Sequence, residues 1–442
     1  MVWTGALEID ITYAQPEYAL FADSLTPLDG MTELHSTLLS DWHKDHGAKM
    51  DGFGGYQMPL WYKTGPIKEH RAVIQQAGLF DTSHMSQLLI EGPESFELLQ
   101  KILTKDLESC IGKGLPLERG RATYGFIALE NGFLLDDAIV MMEDTNTYLL
   151  VANAGMGGTI KNHLQKVGAD LDVAVSDLTG KLCKMDLQGP ASIDILMKVL
   201  KPSKSMKAPF PYFSFVGHYD HLQEGVQSHS GYSVMVSRTG YTGEVGFELY
   251  VRPNAFVPLW EELLAAGADQ GLIPCGLGAR DSLRTGAGLP LSHQDLGDWP
   301  IINHPWEFAI SRTDGDFSKN FVGAEALREK GSQLHTYSFL GENGRKVDGH
   351  SEVLLDEQVI GTVLTCATDM AIDRVDGQLY SLNSPDAPED FKPKGLSCGF
   401  VRVDQELSEG QVIHLKDKRR SIPVTITKNL RPHRTARMKW PL

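Results

Sequence analysis

Two runs of strand-forming residues, Gly231–Arg238 and Phe247–Val251, flank a glycine-rich turn and predict a strand–turn–strand unit. Side chains alternate across a strand, so Phe247, Leu249 and Val251 share one face while Glu248 and Tyr250 share the other. A carboxylate inside an apolar strand is costly to bury without a partner, which makes Glu248 a site candidate. An edge strand with a solvated glutamate would produce the same pattern.

The same reading predicts elements elsewhere. Gly65-Pro66-Ile67 opens a helix that runs through Glu69, His70, Val73 and Ile74, with proline in its first turn and Gly78 placed to end it. Residues 86–91 read as a strand. Residues 121–129 and 133–142 read as two strands joined by Glu130-Asn131-Gly132, and Asn-Gly is a strong hairpin signal. Residues 255–266 form an amphipathic pattern with Phe256, Leu259, Trp260 and Leu263 on its buried stripe, and residues 277–287 also read as helix. From about residue 330 the pattern changes to short strands and polar turns, Gln358–Leu364 among them, which predicts a separate C-terminal β-rich domain over 330–442. Residues 373–394 read as an inserted loop, and residues 1–37, without a period, as an extension packed on the surface or partly ordered.

At 442 residues the chain exceeds what one core supports, so two or three domains are expected. Its 42% hydrophobic and 22% charged residues are ordinary for a soluble globular protein. A net charge of -16 argues against nucleic-acid binding. No secretory signal is visible, and no apolar run approaches the roughly 18 residues of a membrane span. Cys110, Cys183, Cys275, Cys366 and Cys398 are scattered without a CxxC pair, which fits reduced thiols in a cytoplasmic protein. No spacing among the 15 histidines suggests a metal site, and His84 is expected to make a buried structural hydrogen bond.

Candidate chemistry centres on carboxylates and guanidiniums. Asp136 and Asp137 are adjacent on the second hairpin strand, so they face opposite ways and only one can enter a shared cavity. Both faces of that strand are otherwise apolar, so each carboxylate needs a hydrogen-bond partner. Arg280 and Arg284 lie four apart on a helix and share a face that requires an anion, from the protein or from a ligand; Asp281, about 100° away, reads as a poor partner.

Several segments resemble the aminomethyltransferase (glycine cleavage T-protein) family of folate-dependent one-carbon transferases. They are Ser237–Val251, Leu38–Met50, Phe53–Tyr62, Glu69-His70, Gly78–Met85, Asn131–Asp137, Asn153-Ala154, Leu187–Pro190 and Gly278–Arg284, in that family's order from Leu38 onward. The resemblance spans about 38–290. It implies an α+β, three-domain cloverleaf-like architecture with a central folate cavity in residues 38–325 (two intertwined subdomains) and a C-terminal β-barrel-like domain. It also implies tetrahydrofolate as cofactor, with Asp137 catalytic, Glu248 on the pterin, Arg280 near the folate, and Tyr124, Asn153, Met85 and Tyr241 lining the cavity. Asp136 is then a structural carboxylate bonded to backbone amides.

The chain departs from that family at Ser292-His293, where a Tyr-Gly pair is usual, at Arg312 in place of a tryptophan, and over Lys428–Lys439. These regions are expected to shape the substrate entrance. The implied activity is aminomethyl transfer from lipoylated H-protein to tetrahydrofolate with release of ammonia. The alternatives are a demethylase acting on a small sulfonium, amine or aryl ether methyl donor, and a folate-binding protein without catalysis. The cations Lys416, Lys418, Arg419, Arg420, Arg431, Arg434, Arg437 and Lys439 form the densest positive run, a candidate docking surface for an acidic carrier or the glutamate tail of folate.

Overall fold

In the computed structural model the described residues are 34–439 except 113, 203–209 and 221–224; most of the N-terminal extension lies outside them. Three sheet systems surround one central space. The strand–turn–strand unit is confirmed as Ser233–Ser237 and Gly246–Val251. The latter is no edge strand: it sits between Ser233–Ser237 and Cys183–Gln188 in a seven-stranded sheet that continues through Ala77–Asp81 to Leu272–Pro274. Phe247, Leu249 and Val251 enter a core closed by the helices Ser192–Val199 and Pro253–Gly267, whose Phe256, Leu259, Trp260 and Leu263 are fully buried.

A second, five-stranded sheet has the order Ala122–Ala128, Leu134–Asp144, Thr147–Ala152, Ser86–Glu91, Ala174–Asp177. Its hairpin turns at Asn131-Gly132, where Gly132 takes the left-handed φ of 80° that a tight turn requires. The helices Ser95–Ile102 and Gly157–Val167 cover one face of this sheet. In the C-terminal part, six strands from His335–Gly341 to Ser421–Ile426 close into a barrel with its own apolar interior, which leaves no sheet edge open.

Two helices bind these units together. Pro66–Gln75 packs on Leu277–Gly286, which in turn lies against the barrel strand Gln358–Asp369. Gly286 permits that approach, because a Cβ there would fall 1.8 Å from Asp369 Oδ2. Asp369 accepts from His70 Nε2 at 2.9 Å and from Arg431 Nη1 at 2.8 Å, so one barrel carboxylate ties together a helix and the C-terminal segment.

Two local expectations are corrected. Gly78 does not cap a helix; the helix ends at Gln75, and Gly78 lies within the strand Ala77–Asp81, close under Val73 and Cys275. Residues 373–394 are not only loop, since Ile372–Val375 pairs with Gln378–Ser381 as a hairpin. Residues 35–36 pair in parallel with the strand Tyr56–Trp61, so the last part of the extension belongs to a three-stranded sheet.

Candidate active site

The strand register places the site. Lys184, Asp186 and Gln188 alternate on one face of Cys183–Gln188, while Cys183, Met185 and Leu187 fill the core behind it. Asp186 lies directly across from Glu248 on the neighbouring antiparallel strand. Two like charges opposite one another repel unless a cation joins them, and Lys184 is that cation. Its Nζ donates to Asp186 Oδ1 at 2.5 Å, to Glu248 Oε1 at 2.7 Å and to Thr82 Oγ1 at 3.2 Å. Arg280 Nη1 then reaches Asp186 Oδ2 at 2.7 Å, and its guanidinium lies over the Tyr241 ring at 5.0 Å. Burial alone would raise the Asp186 carboxyl, but the Lys184 and Arg280 charges hold it below the usual range. Glu248 Oε2 accepts from Thr239 Oγ1 at 2.6 Å and from Tyr250 at 3.3 Å. Of about four acceptor positions on a carboxylate, three are therefore used, leaving one for a ligand.

The opposite wall carries the acid pair. Asp136 is fully buried and accepts from Asn153 N at 3.1 Å, Asn153 Nδ2 at 2.8 Å and Ser292 Oγ at 2.7 Å. Asp137 faces the cavity and accepts from Tyr124 OH at 2.6 Å and Asn153 Nδ2 at 2.5 Å. The Asn153 amide thus touches both carboxylates, so the opposed strand faces still meet at one donor. Burial raises both carboxyls well above the usual carboxylate range, and the neighbouring negative charge pushes Asp137 further. Among the described residues no lysine or arginine bonds to either.

Between the two walls is a cavity of about 1360 Å³, which the helix Leu277–Gly286 and the C-terminal segment help to close. Met85, Tyr124, Asp137, Asn153, Tyr241, Glu248 and Arg280 all line it. Lys184 lines it too, and neither Lys184 nor Asp186 was singled out from the sequence. The alternating charges of Lys184, Asp186 and Gln188 beside Leu187–Pro190 were the signal available. His84 lines the cavity as a nearly buried ring, but its Nδ1 has no hydrogen-bond partner, against the structural bond expected of it; burial holds its pKa down at about 4. Among the described residues no cluster could hold a metal ion.

The remaining arginines divide by role. Arg284 is buried and satisfied within the protein, donating to Asp281 at 2.9 Å, to Asp295 and to Thr365 at 3.1 Å. Asp281 is therefore a partner after all, because residues three apart on a helix are neighbours. Arg431 is buried as well, bonded to Asp369 and to the carbonyl of Thr242, so it is no part of a cationic surface. Arg434 and Arg437 line the cavity, Arg434 with one Nη donating to Ala287 O and Arg437 over the Tyr212 ring at 5.9 Å. Lys416, Arg419 and Arg420 are exposed on the barrel. Of the departures, Ser292 bonds Asp136, and residues 428–437 line much of the cavity, whereas Arg312 lies on an exposed hairpin over Phe317, outside the lining.

In fold the chain is similar to a solved glycine cleavage system aminomethyltransferase T from Bartonella henselae. The two chains superpose with a TM-score of 0.72 at 25% identity, over 91% of this chain and 99% of that one. The fold class expected from sequence, α+β with a C-terminal barrel, is the one observed. In sequence, the GCVT N-terminal domain profile matches residues 39–308. An aminomethyltransferase from Chlorobium luteolum is 40% identical over 66% of this chain and 74% of its own length. One from Corynebacterium aurimucosum is 35% identical over 75% and 85%. The chain belongs to the glycine cleavage T-protein family.

Proposed function

We propose that the cavity is a tetrahydrofolate site at which one-carbon transfer takes place, with lipoylated H-protein as donor. The chain is an aminomethyltransferase of the glycine cleavage type. The observation that carries the residue assignment is the contrast between the walls: a buried carboxylate pair with raised pKa faces a charge-paired floor that keeps one acceptor position free. That acceptor, on Glu248, suits one of the donors along the 2-amino and N3 edge of a pterin. Arg280, held by Asp186 and stacked on Tyr241, flanks it.

Tetrahydrofolate, when bound, supplies the nitrogen that takes up the one-carbon unit. The protein contributes position and charge. Asp137 offers a carboxylate whose raised pKa lets it exchange a proton near neutral pH and whose charge stabilises developing cation character. Tyr124 and Asn153 hold that carboxylate in one orientation. Asp136 positions Asn153, through bonds to both its backbone and its side-chain nitrogens, and is itself held by Ser292. The half-exposed Phe308 and the Arg434 and Arg437 chains border the same space. They suit a long apolar arm and an anionic tail respectively.

The test supplies aminomethyl-loaded H-protein and tetrahydrofolate and measures ammonia and methylene-folate. Stoichiometric formation of both, lost in Asp137→Asn, is the expected result. Methyl-folate made from a small methyl donor, with no ammonia from H-protein, would overturn the reading.

A further inference from the structure

A second cavity, of about 440 Å³, lies at the seam between the Leu291–Trp299 region and the barrel. Arg402, His293 and His350 line it with Trp299, Gln294 and Thr362, and no carboxylate does. Arg402 projects from the barrel strand Leu396–Val403 and lies over the Trp299 ring at 4.4 Å. Among the described residues its guanidinium has neither a hydrogen bond nor an ion pair. Asp298 acts on it through charge alone, while partial burial disfavours its charged form. Lys184, Arg284 and Arg431 bond carboxylates and the buried Arg238 bonds backbone carbonyls, whereas the partly buried Arg402 bonds neither. Its contact with the indole face uses none of the guanidinium N–H donors, which remain available to a bidentate acceptor.

Two histidines complete the lining. The Nε2 of His293 makes no hydrogen bond and lies 3.8 Å from Asp136 Oδ1, on the side of the acid pair. Both His293 and His350 hold left-handed backbone, with φ of 62° and 63°, a conformation that β-carbon sterics disfavour and that persists only where the surroundings impose it.

We propose that this second cavity is a binding site for a small oxyanion, a carboxylate or a phosphate, gripped by Arg402 and bordered by His293 and His350. The site is separate from the folate cavity but adjoins it. Gln294 lines both, and His293 Nε2 lies 3.8 Å from Asp136 Oδ1, so an occupant would sit one side chain away from the acid pair.

The test is calorimetric titration of the full chain with inorganic phosphate and, separately, with acetate, at constant ionic strength and without folate. Saturable binding of one of them is expected, and the tighter arm identifies which oxyanion chemistry the site takes. Arg402→Gln should weaken that binding by about tenfold or more, since the charged bidentate pair is lost. Arg402→Lys should fall between, keeping charge but not the fork. Tetrahydrofolate affinity and the melting temperature, measured on the same variants, should stay near wild type, which separates this site from the first cavity and from misfolding. Absence of saturable binding, or equal binding by wild type and Arg402→Gln (an adventitious ion only), overturns the proposal.

Discussion

The two walls of the large cavity bury charge in opposite ways. On the floor, Glu248, Lys184, Asp186 and Arg280 alternate in sign, and every charge touches its opposite within 2.5–2.7 Å. On the facing wall, Asp136 and Asp137 share a neutral amide, a phenol and a serine, with no lysine or arginine among the described residues bonded to them. Pairing makes the floor a rigid recognition surface and holds the Asp186 carboxyl below the usual range. On the wall, burial raises both carboxyls with no bonded cation to offset it, which keeps a proton exchangeable there. One cavity thus separates holding from reacting by where it places its counter-ions.

The largest effect is expected from breaking the floor. Lys184→Met leaves Asp186 and Glu248 opposed and unpaired in a dry sheet, and should cost about 3–5 kcal/mol of stability. Denaturant unfolding measures it, and a loss below about 1 kcal/mol would mean that water or a proton replaces the lysine. Asp137→Asn should do the reverse. It should leave the unfolding midpoint and most folate affinity in place while turnover falls by about 10²–10⁴-fold. Asp136→Asn should act mainly on stability, because an amide cannot accept all three of the bonds made to that carboxylate. If Asp136→Asn abolished turnover and Asp137→Asn did not, the two roles would be exchanged.

Glu248→Gln sharpens the recognition side. Losing a charged acceptor should weaken tetrahydrofolate by about 1.5–3 kcal/mol, read by calorimetry, with no change in the shape of the pH–rate profile.

The smallest effect concerns that profile. Asp137 is raised first by burial and then by the Asp136 charge, so the acid limb of turnover should lie above the ordinary carboxylate range of about 3.9. Removing the Asp136 charge favours ionised Asp137, so residual activity of Asp136→Asn should show its acid limb at lower pH. A limb that moves upward, or not at all, would remove the like-charge account. Stability carries the opposite sign on the two walls. The raised pair makes the fold less stable as pH rises through its folded pKa, because the unfolded carboxylates ionise first. The lowered Asp186 contributes stability above its unfolded pKa and loses it as pH falls through the folded one.

Much of this molecule was legible without coordinates. Period-two alternation assigned Glu248 and its apolar neighbours to opposite faces, Asn131-Gly132 placed the hairpin that carries the acid pair, and helical spacing marked the buried stripe of 256–263. The motif resemblance assembled seven residues that line a single cavity. These are local properties, set by backbone geometry within a few residues, and a sequence records them directly.

Partnership was decided elsewhere. Lys184 finds Glu248 across 64 residues, Ser292 finds Asp136 across 156, and His70 finds Asp369 across 299. A charged residue in a strand or tail is the same letter whether it is solvated, paired or lining a cavity. Only tertiary packing moved Arg431 from the surface run into the interior and left Arg402 over Trp299 without a bonded anion. Faces follow from periodicity, but which two faces meet, and hence which charges are neutralised and which carboxyls are raised, depends on long-range closure that no local pattern encodes.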